Sequence, residues 1–207
     1  MCAERRLFQR GRRNSISLAR VILAASALVL FTSALLLLPA ASAQEKRIEE
    51  YRAKANFLAA FPNFIEWPSN VFSSPDAPLV ICVFGSFSFG TTLAETTRGA
   101  VNRGRHIEIR WAHREQDLRT CHIVFVSRSE EKHYGRIFKA IQGTSVLTVG
   151  ETPDFLARGG AINFLFEADK LQFEVNIAAA NDAHLRISSN MLALAKHVVT
   201  RAEAAKT

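Results

Sequence analysis

The sequence predicts a compact single-domain α/β protein: a Rossmann/flavodoxin-like sheet flanked by helices, mostly parallel, with a C-terminal antiparallel hairpin. Three observations predict it. The run Leu79 to Phe84 (LVICVF) and the middle of the run His122 to Ser127 (HIVFVS) are apolar without alternation, as in strands buried on both faces of a parallel sheet. Helical patterns follow each of them, which is the spacing of parallel β-α-β units with right-handed crossovers. Near the end, Ala161 to Glu167 (AINFLFE) and Leu171 to Ile177 (LQFEVNI) are separated only by Ala168-Asp169-Lys170, the spacing of a hairpin.

The chain opens with Arg5, Arg6, Arg10, Arg12, Arg13 and Arg20, then an 18-residue apolar run from Val21 to Leu38, then Ala41-Ser42-Ala43. This is the layout of a secretory signal, with cleavage expected before Gln44. Residues 1–43 are therefore assigned to a signal peptide and 44–207 to one exported domain, an uncleaved inner-membrane anchor being the alternative. Arg12-Arg13 leaves the Sec and twin-arginine routes open, and Cys2 lies too far from the cleavage point for a lipoprotein.

From Arg47 to about Ile65 the residues Ile48, Tyr51, Ala55, Leu58 and Phe61 recur on one helical face. Pro62 is expected to bend the last turn and Pro68 to end the element. Pro75, Asp76 and Pro78 mark a loop before the first strand, and a helix is expected from Phe89 to Thr97. Arg105 to Trp111 (RHIEIRW) alternates, with Ile107, Ile109 and Trp111 on one side, as in an edge strand with a wet face. A helix from Ser129 to Ile141 and a strand from Ser145 to Val149 follow the second apolar run. If the alternating strand lies outermost, the strand order is 2-1-3. That order places Cys82 and Cys121 on adjacent strands, where a disulfide can close and contribute about 2 to 5 kcal/mol. A last helix is expected to be capped by Ser188 or Ser189 and to carry Met191, Leu192, Leu194, Ala195, Val198 and Val199 as its core stripe.

Charge and motifs narrow the function. The whole chain has 26 basic and 19 acidic residues and a net charge of +7. Without the leader's six arginines and one glutamate it keeps 20 basic and 18 acidic residues, scattered along the chain, so no nucleic-acid footprint is expected. The loop GSFSFGTT at 85–92 has Thr91 where a phosphate-binding loop needs lysine, and the dinucleotide glycine spacing is absent. A strand-to-helix turn is the plain reading, with a weak anion site at the helix start as the other. The six histidines (His106, His113, His122, His133, His184 and His197) show no metal-ligand spacing, and no G-x-S-x-G elbow occurs. No catalytic residue, metal or cofactor is therefore expected. Glu174, Asn176 and Arg186 can meet either as a structural ion pair or as a small-ligand pocket.

The segments YRAKANFLAAFPNFIEWP (51–68), LVICVFG (79–85), VNRGRHIEIR (101–110) and LTVGETPDFLARGGAINFLFEADKLQFEVNIAAANDAHLRISSNMLALAKHV (147–198) resemble the YfiR family of periplasmic proteins. The resemblance runs from Tyr51 to Val199. It implies a repressor that binds the sensor region of an inner-membrane diguanylate cyclase and restrains cyclic-di-GMP synthesis and biofilm formation. It further implies a possible homodimer, and sequestration by an OmpA-like outer-membrane lipoprotein. Cys82 and Cys121 match a cysteine pair of the family; a second pair found in some members has no counterpart, since residues 150–170 contain no cysteine. Pro62 departs from the family pattern and implies a sharper end to the first helix.

The stretch FLAAFPNFIEWP then poses the main question. Phe57, Phe61, Phe64 and Trp67 either pack as core or serve as anchors for a partner, Trp67 being the residue most expected at the surface. A docking repressor, a periplasmic small-ligand binder using the group around Arg186, and an exported hydrolase are the three readings, in that order.

Overall fold

The LVICVF run forms β2 (Leu79–Phe84), which pairs in parallel with β4 (Arg105–Ala112) on one side and β5 (Ile123–Val126) on the other. The computed structural model describes residues 44–85, 88–167 and 170–200. The expected leader, the loop residues Ser86 and Phe87, and the turn residues Ala168 and Asp169 lie outside the described residues. Beyond β5 the sheet continues through β6 (Leu147–Gly150), β7 (Ile162–Glu167), β8 (Lys170–Asn176) and β10 (His197–Val199); beyond β4 lies β3 (Val101–Asn102). The β7–β8 and β3–β4 pairs are antiparallel and the other five pairs of this eight-stranded sheet are parallel. The predicted order is therefore present as β4-β2-β5, and the hairpin register runs from Ile162 opposite Val175 to Glu167 opposite Lys170.

Burial explains why β2 is apolar throughout. Leu79, Ile81 and Val83 face a core shared with Leu58, Phe61, Phe89 and Phe164, while Val80, Cys82 and Phe84 face a second core built on Leu118, Tyr134, Ile137 and Phe155. A sheet covered on both faces leaves no position for a polar side chain. In the second core Phe155 is fully buried, and a Cβ at Gly150 or Gly160 would lie within 2.3 Å of its ring, so both positions need glycine for this close approach.

The first helix, α1 (44–60), buries Ala55 and Leu58 as predicted, but it stops before Pro62 instead of bending there. Pro62 has no N–H for the carbonyl four residues back and its ring collides with that turn. The chain tightens into a 3-10 turn, Phe61–Asn63, closed by Phe64 N–H donating to the Phe61 carbonyl at 2.9 Å. It then enters β1 (Ile65–Glu66), which pairs antiparallel with β9 (Arg186–Ile187) in a separate two-stranded sheet.

α2 (Ser88–Thr96) matches the expected helix, whereas the expected helix from Ser129 is divided into a 3-10 segment, Arg128–His133, and α3 (Tyr134–Ile141). A short α4 (Ile177–Asp182) starts where Asn176 Oδ1 accepts the Ala179 N–H at 3.1 Å. The last helix needs correction. α5 (Ser189–Leu194) is capped by Ser188, whose Oγ accepts the Met191 N–H at 3.3 Å, but only Met191 of its stripe is buried and Leu194 is exposed. Val198 and Val199 instead belong to β10, because the free edge of β8 presents unpaired backbone groups that an extended β-branched segment satisfies.

Candidate functional site

The aromatic stretch divides between two environments. Phe61 is 2% exposed and its ring stacks on Phe164 at 5.7 Å and meets Phe173 edge-on at 5.5 Å. Phe57 joins the same cluster, with its ring 5.8 Å from Phe173 and 6.2 Å from Phe164, while staying partly accessible. Phe64 and Trp67 are half-buried and pack on the rim of this core. The Phe64 carbonyl accepts the Ser188 N–H at 2.9 Å, which holds this segment beside β9.

Cys82 and Cys121, 39 positions apart in the chain, are joined as the sequence predicts, with Cα atoms 5.9 Å apart. Cys121 sits at the end of the 3-10 segment Glu115–Thr120, just before β5, so the bond ties a crossover to the central strand.

Glu174, Asn176 and Arg186 are not brought together. Asn176 is buried and uses its amide to cap α4 and to donate to the Leu156 carbonyl at 3.2 Å. Arg186 lies on β9 with its side chain 86% exposed and faces Glu66 on β1 at 3.9 Å. Glu174 is half-buried on β8, opposite Asn163 and His197. The expected polar pocket is thus three separate sites, because Asn176 and Arg186 stand on either side of α4. The ion pair that Arg186 makes ties β9 to β1 rather than the hairpin to the last helix.

Open α/β sheets place ligands beyond the C-terminal ends of their strands. Beyond β5 and β6 that region is filled by the protein's own charges. Lys54 of α1, 3% exposed, donates to Glu151 at 2.6 Å and also to Glu50, and Glu151 accepts the Arg128 backbone N–H at 2.8 Å. Beyond β2, Gly85 has φ +103 and a Cβ there would meet Ser127 Oγ at 2.3 Å. Among the described residues no group of three His, Cys, Asp or Glu side chains is placed to hold a metal ion. No described helix is long and apolar enough to cross a membrane.

The opposite end of the same strands holds a residue whose sequence context gave little signal. His122, 8% exposed, accepts the Val80 N–H on Nδ1 at 3.0 Å. Its ring stacks on Phe72 at 4.5 Å and 13° and meets Trp67 edge-on at 6.4 Å. Burial, with the charges of Arg105 and Arg110, pushes its pKa down to about 4. At neutral pH the ring is therefore uncharged and, with Nδ1 accepting, its proton is on Nε2. Neither that Nε2 nor Trp67 Nε1 has a hydrogen-bond partner among the described residues, and both atoms are buried.

A family model described as YfiR/HmsC-like matches residues 51–196. Among solved structures, the chain is similar to a conserved domain protein from Vibrio cholerae O1 biovar El Tor strain N16961, with 12% identity, 58% of this chain and 54% of that chain covered, and a TM-score of 0.46. It is similar also to the ABC domain in complex with L-Trp from Streptococcus pneumonia, with 12% identity, 58% and 55% coverage and a TM-score of 0.43. The chain spans about half the length of each of these structures.

Proposed function

We propose a specific regulatory role on the premise, established by the match over residues 51–196, that this chain belongs to the YfiR/HmsC-like family. Family membership makes it a periplasmic regulator in general terms. The proposal is finer: the protein is a non-enzymatic repressor that docks on the periplasmic sensor region of an inner-membrane diguanylate cyclase. Docking holds the cyclase inactive and so restrains cyclic-di-GMP synthesis and biofilm formation. An OmpA-like outer-membrane lipoprotein that sequesters the repressor, and a homodimer as the working form, belong to the same proposal.

The family match carries this reading, and the division of the aromatic stretch supports it. Phe61 and Phe57 anchor the end of α1 on the sheet, which leaves Phe64 and Trp67 at the rim as rigid, partly accessible rings. Preordered aromatic rings are efficient interface anchors, because they lose little side-chain freedom on binding. A repressor of this kind shifts its target only by the difference between its affinities for the inactive and active states.

The test uses a host that has both this chain and a membrane diguanylate cyclase with a periplasmic region. The purified protein should retain that cyclase from detergent-solubilised membranes, and deletion of its gene should raise cyclic-di-GMP. Unchanged cyclic-di-GMP after deletion would sink the repressor reading.

A further inference from the structure

Lys54 is the only charged side chain of α1 that is buried, and few other contacts hold this helix. Apart from Lys54, only Ala55 and Leu58 of α1 are buried; Tyr51 and Phe57 are half-buried against the same core, and residues 44–49 are exposed. Apolar contact is non-directional, so a surface this small tolerates a helix rotated or slid by part of a turn. A hydrogen-bonded ion pair does not, because it weakens steeply with distance and angle.

Glu151 is a fixed point on the sheet. It follows β6 directly, its Oε1 accepts the Arg128 backbone N–H at 2.8 Å, and its carbonyl accepts from Arg128 Nη2 at 3.0 Å. Arg128 stands just past the end of β5, so two central strands hold the carboxylate. Lys54 Nζ donates to Oε2 at 2.6 Å and also to Glu50 one turn back, with the Tyr51 ring centroid 5.5 Å away. An ammonium group has three donors, and these neighbours fix its direction as well as its distance. Such a pair adds little stability over well-packed apolar side chains of similar volume, so what it supplies here is geometry.

The rings of the aromatic stretch differ in what anchors them. Phe64 and Trp67 are placed by β1, through the pairing of Ile65 with Ile187 and the Ser188 N–H donated to the Phe64 carbonyl. Phe57 rides on α1, three residues after Lys54. We propose that Lys54 and Glu151 are positioning residues that set the rotation and axial position of α1, and so the place of the Phe57 ring relative to Phe64 and Trp67 on the surface offered to a partner. The presentation of Phe57 to a partner rests on the docking role proposed above; the positioning of α1 does not.

The experiment reads the Phe57 ring resonances of isotopically labelled protein, assigned with Phe57→Leu, alongside the urea midpoint and retention of the cyclase. Lys54→Met/Glu151→Leu removes both charges at similar volume. Its midpoint should recover most of what Lys54→Met alone loses, while the Phe57 resonances shift or double and the Phe57–Phe173 ring contact, 5.8 Å between centroids in the parent, weakens in the nuclear Overhauser effect. Retention should fall several-fold with the Trp67 indole resonance in place. Glu151→Asp keeps both charges on a side chain one methylene shorter, and it too should move Phe57, since α1 must follow the shortened anchor. Phe57 resonances unchanged in both variants would overturn the proposal. So would a double variant no more stable than Lys54→Met, which would make the pair an element of stability alone. A displaced Phe57 with undiminished retention would overturn the presentation of Phe57. Failure of the parent itself to retain a cyclase would remove the docking role, and the Phe57 resonances would still decide the positioning of α1.

Discussion

Lys54 and Glu151, 97 positions apart in the chain, form a buried ion pair in which Nζ lies 2.6 Å from Oε2. It fastens the first helix to the residue that follows β6, at the end of the sheet where related architectures hold ligands. Glu50 and the Arg128 backbone N–H complete the network, so each buried charge has more than one partner.

Breaking that pair from one side should be far more damaging than its presence is stabilising. Desolvation costs several kcal/mol per ion and is offset only while both partners remain. Lys54→Met should lower stability by about 3 to 5 kcal/mol, read from the urea midpoint at an unchanged slope. A loss under about 1 kcal/mol would mean that Glu151 finds other compensation.

The Cys82–Cys121 bond closes a loop of 39 residues, for which chain entropy gives about 4 kcal/mol. Reduction should therefore shift the urea midpoint down, and Cys82→Ala/Cys121→Ala should match the reduced wild type. Thiol labelling of unreduced protein expressed as residues 44–207 should detect no free cysteine.

The depressed pKa of His122 predicts an acid-sensitive fold. In the native state the ring is held neutral, chiefly by burial and then by the charges of Arg105 and Arg110. The unfolded ring titrates near 6.5, so this contribution is complete above that pH and is lost as pH falls through 6.5 toward about 4. The loss should reach about 2 kcal/mol once partial solvent screening is allowed for. His122→Asn keeps an acceptor for the Val80 N–H but cannot titrate. The difference between wild type and variant in unfolding free energy, followed from pH 7 to pH 4, isolates the effect; parallel curves would remove it.

Phe61→Ala and Phe64→Ala should separate the two environments of the aromatic stretch. Phe61, in contact with two buried rings, should cost about 3 to 5 kcal/mol of stability. Phe64, at the rim, should cost less than about 2 kcal/mol while weakening retention of the proposed cyclase partner several-fold. Retention that follows stability alone across the two variants would assign the whole stretch to the core.

Arg186→Ala should leave the unfolding midpoint unchanged, because its pairing with Glu66 spans 3.9 Å between two exposed side chains. A calorimetric ligand screen should likewise find the variant equal to the parent, consistent with the separation of Arg186 from Asn176.

How much of this was legible beforehand depends on the range of the interactions. The doubly buried strands, their 2-1-3 order, the hairpin and the cysteine pairing follow from local patterns: an apolar run of strand length, the crossover spacing and two short runs joined by three residues. The end of α1 was half legible, since Pro62 marks a break but the break became a stop and a new strand. The tail was misread: Val198 and Val199 continue a helical pattern on paper, and the open edge of β8 draws them into the sheet instead.

Order along the chain thus determined the class of fold by itself, because that depends on periodicity and on the spacing of the elements. Only the tertiary structure decided that Lys54 is buried rather than solvated, that Arg186 stands apart from Asn176, and that Trp67 meets His122. The physical reason is that burial and electrostatic environment are set by residues tens of positions away, and a charged or aromatic side chain carries no local mark of which neighbours it will meet.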